Sequence, residues 1–152
     1  MKRIVLISCV SKKKSTKSKA KDLYVSPLFK TSLAYAYSLK PDEIFVLSAL
    51  HHLLDLEAEI EPYNITLSNI PKSIKKDGLI VLSSAEKIEW GKKVVAMLSE
   101  RTDLQRDHFI ILAGREYIKP ILPYLLNIDD RLRGMSIGKR LSYLKSQIRC
   151  SQ

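Results

Sequence analysis

The sequence has few cysteines and no long apolar segment. Its two cysteines, Cys9 and Cys150, stand near opposite ends of the 152 residues and lack the spacing of metal ligands. This excludes the disulfide-rich secreted class and suits a reducing compartment, so we expect a cytoplasmic protein. The longest apolar runs, such as Phe109 to Ala113, fall far short of the roughly 20 residues that span a bilayer, and we expect no membrane contact.

Glycine-rich phosphate loops and metal-binding patterns are also missing. No Gly-x-Gly-x-x-Gly occurs, and Gly138-Lys139-Arg140 lacks the upstream glycine of a phosphate-binding loop. The common ATP-dependent and dinucleotide-dependent enzymes are therefore disfavoured. Three histidines in the whole chain give little basis for a metal site. We predict neither a cofactor nor a metal.

Positive charge is abundant, with 26 Lys and Arg against 16 Asp and Glu and a net charge of +10. It is concentrated at the two ends of the chain, since residues 1–41 carry a net +9, residues 42–110 a net −4 and residues 111–152 a net +5. The first end contains a Lys-rich loop at residues 11–21, with the lysines Lys12, Lys13, Lys14, Lys17, Lys19 and Lys21. The second end has an acid-free basic block, which consists of Arg131, Arg133, Lys139, Arg140, Lys145 and Arg149.

These two basic stretches have a functional and a neutral interpretation. Lysines that approach a polyanion release its condensed counterions, so both stretches are suited to contact nucleic acid or a nucleotide phosphate. Alternatively, a Lys-rich loop is a solvated segment that keeps the protein soluble.

Continuous apolar runs predict buried strands at Arg3 to Cys9, Glu43 to Ala49 and Phe109 to Ala113. Helix signals lie between them: a Ser26-Pro27 cap opens a helix through Leu39, and a Ser83/Glu86 capping box opens one to Arg101. Further helices are predicted over residues 117–126 and 138–148, and a less regular loop–helix–loop segment over residues 50–71. The pattern predicts one α/β domain over residues 1–152, with three layers and a mainly parallel sheet flanked by helices.

In open α/β sheets the ligand site lies beyond the carboxyl ends of the strands. The polar residues that follow the three predicted strands are therefore candidates for one cleft. They are Ser8, Cys9 and Lys12, then Ser48, His51 and His52, and finally Gly114, Arg115 and Tyr117.

His51 and Asp55 are four residues apart, close enough on a helical turn to hydrogen-bond or to share a metal. His51 is a candidate acid, base or base-edge donor, with a purely structural histidine as the alternative. Cys9 is a candidate nucleophile because nearby lysines would lower its pKa, although free cysteines are commonly packing residues.

Six ordered motifs extend across nearly the whole chain. They are Leu6-Ile7-Ser8-Cys9, Asp22 to Phe29, Leu47 to Leu54, Ile60 to Leu67, Leu112 to Tyr117 and Gly138 to Leu141. Together they resemble the small YaaA-like family and, more distantly, the peroxide-stress proteins after which that family is named. This sequence departs from the family pattern by having Leu50 in place of Lys, His52 in place of Gly and Asn64 in place of Asp.

The resemblance implies an α/β domain of the uracil-DNA-glycosylase type and a DNA-associated role in damage or stress protection or nucleic-acid modification. It also implies a cleft for a nucleotide or an extruded base. The partner expected from it is nucleic acid, DNA in preference to RNA, or a nucleotide.

Three functions follow as hypotheses. In the first, a nucleic-acid-associated protein binds phosphate through Lys12, Lys13, Lys14, Lys21, Arg115, Lys139 and Arg140, and a base in a pocket of Cys9, Tyr24, Ser48, Tyr63 and Tyr117. In the second, a hydrolase cleaves an N-glycosidic bond or a small nucleotide, with His51, Asp55 and Ser8 as catalytic candidates. In the third, which Leu50 and His52 favour, the chain is an inactive regulatory module of a mobile element.

Overall fold

The computed structural model describes residues 1–8, 13–68 and 78–151, with side chains described through Arg149. Its elements follow one another as strands and short helices. In chain order they are β1 (Arg3–Ser8), β2 (Ser18–Lys19), α1 (Ala20–Leu23), α2 (Pro27–Ser38), β3 (Glu43–Ser48), β4 (His52–Asp55), β5 (Glu59–Ile60), β6 (Ile65–Thr66), β7 (Ile80–Val81), α3 (Ser84–Arg101), β8 (His108–Leu112), α4 (Arg115–Ile118), a 3₁₀ turn (Leu122–Tyr124), β9 (Asn127–Asp130) and α5 (Ile137–Ser151).

A five-stranded sheet in the order β4-β3-β1-β8-β9 forms the centre of the fold. β1 pairs in parallel with both β3 and β8, and β8 pairs in parallel with β9, whereas β4 is antiparallel to β3 at one edge. The central strand is fully buried from Ile4 to Ile7, which explains its unbroken apolar run. The expected α/β fold and the three predicted strands are confirmed, in a mixed sheet with one antiparallel edge strand.

The helices α2 and α3 begin at the capping residues that the sequence predicts. The Ser26 side chain accepts a hydrogen bond from the Phe29 N–H at 3.1 Å, one residue before Pro27 begins α2. Ser83 and Glu86 form the reciprocal capping box of α3. α2 packs against α5 and β1, while α3 packs against β4. The helix expected at 138–148 is present as α5.

Two expectations about the remaining segments are wrong, and one strand was not expected. Residues 117–126 are not one helix, because prolines at 120 and 123 confine the helical backbone to α4 and the 3₁₀ turn. The described part of 50–71 contains β4, β5 and β6 and no helix. The polar strand β9 was not expected at all, because its Asn-Ile-Asp-Asp sequence has no apolar run.

The predicted Lys-rich loop at 11–21 is regular in part of its described length. β2 pairs with β5, and the next residue, Ala20, begins α1 and donates its N–H to the Ala58 carbonyl at 2.8 Å. The Lys14 N–H likewise donates to the Leu23 carbonyl at 2.8 Å. The backbone at Lys13, Lys14, Lys19 and Lys21 is therefore paired or hydrogen-bonded with other parts of the fold.

No helix within the described ranges is both long enough and apolar enough to cross a bilayer.

Strand order determines where a ligand site is expected. From β1 the chain runs to β3 and β4 on one side, then returns to β8 and β9 on the other. The order therefore reverses between β1 and β8. In open sheets with parallel strands, ligands bind in the crevice outside the carboxyl ends of the strands at such a switch point.

Candidate functional site

At the switch point, a hydrogen bond connects the carboxyl ends of β1 and β8. The Gly114 N–H, just after β8, donates to Ser8 Oγ at the end of β1, at 3.1 Å. The predicted residues Ser8 and Gly114 are therefore neighbours, and both are half-buried. This contact fixes the start of the segment that carries Arg115.

A cavity of about 620 Å³ lies beside this contact, at the carboxyl ends of β8 and β9. We call it the basic pocket. Its charged lining residues are Arg115, Lys119, Asp130, Arg133 and Arg140. Its apolar lining residues are Ala113, Ile118, Leu122, Ile128 and Leu132. Two predicted phosphate-binding residues, Arg115 and Arg140, are thus brought together here, and Lys119 and Arg133 join them.

Arg140 lies in the first turn of α5, and the backbone just before the helix holds its side chain in place. Its Nε donates to the Met135 carbonyl at 3.0 Å, and its terminal Nη1 lies 3.7 Å from the position that a Cβ on Gly114 would occupy. The guanidinium group therefore faces the backbone of Gly114. Lys139, by contrast, is exposed and does not line the pocket.

The other arginine nearby, Arg131, has a structural role. It donates to Asp129 at 2.7 Å and also to the hydroxyl of Tyr35. Arg131 therefore links β9 to α2 and is absent from the pocket lining.

Asp130 is the acidic member of the basic pocket and the last residue of β9. Burial raises the pKa of its carboxyl, while the charges of Arg133 and Arg140 act in the opposite direction. Within the described residues this carboxylate forms neither a hydrogen bond nor an ion pair.

A second cluster lies at the carboxyl end of β3 and contains three predicted residues. The hydroxyl groups of Tyr24 and Tyr63 are 2.7 Å apart, and the Tyr63 hydroxyl is 2.7 Å from Ser48 Oγ. Ser48 and Tyr24 are 0 % and 1 % exposed, respectively. We call this the hydroxyl chain. Since Ser48 and Tyr24 are buried, the hydroxyl chain has a structural role at this edge of the sheet. Tyr63, its third member, is half-buried.

His51 packs against the hydroxyl chain. Its backbone N–H donates to Ser48 Oγ at 3.1 Å, and its ring meets the Tyr63 ring edge-on at 5.5 Å. His51 Nε2 is buried and has no hydrogen-bond partner among the described residues. Burial lowers the pKa of His51, so its imidazole is neutral at pH 7.

The predicted pairing of His51 with Asp55 is wrong because residues 52–55 form a strand and no helical turn. In the antiparallel register, His52 faces Ser48 and Asp55 faces Phe45, which puts Asp55 about 10 Å along the strand from the carboxyl end of β3. There its carboxylate accepts from Arg101 at 3.0 and 3.1 Å. Asp55 belongs to this ion pair, away from the candidate site. Nowhere in the described part of the chain do three or more His, Cys, Asp or Glu residues form a group that could hold a metal ion.

Tyr117 lies on the side of the candidate site near β6. Its hydroxyl is 3.3 Å from Thr66 Oγ1 and accepts from the Leu67 N–H at 3.5 Å. Its ring meets the ring of Trp90 edge-on at 5.9 Å, and Trp90 Nε1 donates to the Ser48 carbonyl at 2.8 Å. Trp90 therefore connects Tyr117 with the hydroxyl chain. Sequence reasoning missed Trp90, although the single tryptophan on the apolar face of a capped helix was a signal for such a connection.

The predicted phosphate-binding lysines lie in different environments. Lys13 Nζ is 4.5 Å from the centre of the Tyr63 ring, near the hydroxyl chain. Lys14 is exposed. Lys21 pairs with Glu57 at 3.0 Å, and its hydrogen bond to this carboxylate raises its pKa. The predictions for Cys9 and Lys12 concern positions outside the described residues.

The three departures from the expected family pattern lie on exposed or half-buried positions. Leu50 is 40 % exposed in the turn after β3, and Asn64 is exposed. His52 has a φ of 69°, in the left-handed region where a side chain is strained and glycine is not. The backbone conformation at position 52 therefore favours the glycine of the expected family pattern.

One protein-family model matches the chain. The model of the "Family of unknown function (DUF6884)" matches residues 4–146. No curated protein and no solved structure matches the chain.

Proposed function

The chain belongs to the DUF6884 family, and from this premise we propose that it binds a nucleotide, free or within a nucleic acid, with the phosphate in the basic pocket. One observation carries the proposal. Arg115, Lys119, Arg133 and Arg140 surround the same cavity, and within the described residues none of the four forms an ion pair. Four neighbouring cations with a single carboxylate, that of Asp130, among them repel one another, and a bound anion reduces that repulsion.

The chemistry of the lining supports a phosphorylated ligand with an apolar part. Guanidinium groups match phosphate oxygens in a planar, two-pronged geometry, and three of the four cations are arginines. The apolar side chains of the same cavity offer contacts to a sugar or base. A volume of about 620 Å³ falls within the range of roughly 300–1,000 Å³ that small-molecule sites occupy.

Nucleic acid remains the expected macromolecular partner, and DNA the form that the family resemblance favours. Lys13 lies near the end of β3 and Arg115 follows β8, so basic groups flank both sides of the switch point. Such groups add affinity for phosphate without reading sequence. A role in damage or stress protection and a likeness to the uracil-DNA-glycosylase type belong to this proposal as well.

Binding of a labelled single-stranded oligonucleotide across a salt series tests the proposal. The variant Arg115→Gln/Arg133→Gln removes two cations whose side chains donate no hydrogen bond within the described residues, and we expect it to lower affinity and to reduce the salt slope by about 1.4. The matched control, Lys92→Gln/Arg106→Gln, removes two exposed cations that do not line the pocket and should keep the parent's slope. Equal slopes for the pocket variant and the control would contradict the proposal.

A second candidate function is hydrolysis of an N-glycosidic bond or a small nucleotide. The Nε2 of a neutral His51 favours it, because this nitrogen has no hydrogen-bond partner among the described residues and a neutral imidazole at the ligand edge of a sheet is suited to accept a proton from water. Ser8, 3.1 Å from the Gly114 N–H, would position the substrate. Asp55 takes no part in this mechanism because it is bound to Arg101.

Chromatographic detection of free base from nucleotides and from uracil-containing oligonucleotides tests the second candidate. Base release that disappears in His51→Gln and survives in His108→Gln would support it. Here His108 is a control because it lies at the opposite end of β8. No base release by the parent protein, or release unchanged in His51→Gln, would overturn it.

A further inference from the structure

The carboxylate of Asp130 is in an unusual position for an acidic group among arginines. It lines the same cavity as four cations, yet in the described part of the chain it forms no ion pair with any of them. Arg133 and Arg140 are near enough to act on its charge. The terminal groups of the four cations and the carboxylate of Asp130 therefore face one cavity without pairing with each other within the described residues.

A half-buried carboxylate of this kind is unfavourable, because burial removes part of its hydration and no hydrogen-bond donor within the described residues replaces it. The raised pKa of Asp130 reflects the same cost. The ligand that complements this pocket must therefore carry two kinds of group: an anion for the arginines and lysine, and neutral hydrogen-bond donors for the carboxylate.

The topology indicates which donors these are. β8, Gly114, α4 and β9 form a strand–helix–strand unit, with Arg115 directly after the first strand and Asp130 at the end of the second. In dinucleotide-binding folds, a carboxylate further along the same kind of unit accepts from a ribose hydroxyl, while the phosphate lies where the first strand meets its helix. The sugar is also the part of a nucleotide that is bonded directly to the phosphate. The carboxylate nearest the cations is thus placed to meet the sugar before the base.

We propose that the basic pocket takes a ribonucleotide and that Asp130 accepts hydrogen bonds from its ribose hydroxyl groups. This inference rests on the proposed function and makes it more specific. It also departs from the preference for DNA that the family resemblance implies, because a 2′-deoxynucleotide lacks one of the two hydroxyl donors.

Calorimetric titration with AMP, dAMP and IMP tests the inference. We expect the parent protein to bind AMP about tenfold more tightly than dAMP, and AMP and IMP equally, because IMP keeps the ribose and loses the amino group of the base. Asp130→Asn should lose most of the discrimination against dAMP. It should remain folded, since the change removes an unpaired charge, and thermal unfolding verifies this.

The possible outcomes distinguish a failure of ribose recognition from a failure of phosphate binding. If AMP and dAMP bind equally well to the parent, or if Asp130→Asn weakens both equally, ribose recognition is overturned and phosphate binding stands. If the parent prefers AMP to IMP and Asp130→Asn removes that preference, the carboxylate reads the base and the inference is overturned. If Arg115→Gln/Arg133→Gln binds AMP and dAMP as the parent does, the proposed function itself fails.

Discussion

A methyl group added at Gly91 should disturb the contact between α3 and the segment that carries part of the basic pocket. Gly91 is buried in α3, and a Cβ there would lie 2.7 Å from both the Cβ and the carbonyl oxygen of Pro120. Pro120 directly follows Lys119, a pocket residue. Because one of the two atoms belongs to the backbone, no side-chain rotation relieves the clash, and the backbone of the segment must move.

The expected magnitude is the difference between two opposing effects. Replacing glycine by alanine within a helix stabilises it by about 1 kcal/mol. Overfilling a packed contact costs about 1–3 kcal/mol. The net change for Gly91→Ala is therefore a destabilisation of about 0–2 kcal/mol. Gly138→Ala is the matched control, because it also lies in a helix and a Cβ there meets nothing within 4 Å, so only the gain of up to about 1 kcal/mol remains.

Urea unfolding monitored by circular dichroism measures both variants. We expect Gly138→Ala to be more stable than Gly91→Ala by about 1–3 kcal/mol, which corresponds to a separation in Tm of several degrees for a domain of this size. Gly91→Ala should also bind the oligonucleotide more weakly, since the segment around Lys119 shifts. Equal stabilisation by the two substitutions would refute the close contact between α3 and Pro120.

Further predictions concern the caps, the histidines and the lysines. Lys40→Gly should raise the free energy of unfolding by about 1 kcal/mol in urea titrations, because Lys40 has a φ of 49°. Ser83→Ala should lower the same quantity by about 1 kcal/mol through loss of the capping box. Stability should fall as the pH drops below about 6.5, because the unfolded chain protonates before the buried His51, and His51→Gln should flatten this part of the stability curve. Lys13→Gln/Lys14→Gln should lower the salt slope of single-strand binding by about 1.4, and an unchanged slope would remove these lysines from the interface.

The central strands were predictable because burial on both faces leaves a direct trace in the sequence. Ile4 to Ile7 and Phe109 to Leu112 are continuous apolar runs, and in the structure all of them are buried. The helix starts were predictable for a similar reason, since Ser26 and Ser83 use side-chain caps that only a few residue types supply.

The edges of the sheet were not predictable in the same way. β9 has the sequence Asn-Ile-Asp-Asp, and β4 begins with a histidine at a positive φ, so neither has a run or a period to detect. Their pairing with β8 and β3 depends on tertiary contacts, which override local propensity. The helical interpretation of residues 51–55 failed because a short apolar run fits either period.

Residues of the candidate site were predictable only where they lie at the carboxyl end of a strand that the sequence reveals. Ser8 and Ser48 end two strands that the sequence revealed and Arg115 follows a third, and the structure brings these residues to one edge of the sheet. Asp130 was not assigned to the site, because it ends a strand that the sequence did not reveal, and Arg133 was predicted only as a member of the basic block. The acidic residue on which the specificity inference depends was therefore visible only in the structure.

Nuclear magnetic resonance titration of the ¹⁵N-labelled protein with AMP tests the central claim most directly. The account predicts that chemical-shift changes concentrate on the residues that line the basic pocket, which are Ala113, Arg115, Ile118, Lys119, Leu122, Ile128, Asp130, Leu132, Arg133, Gly134 and Arg140. Changes confined to other parts of the chain, or no changes at millimolar AMP, would contradict phosphate binding in this pocket.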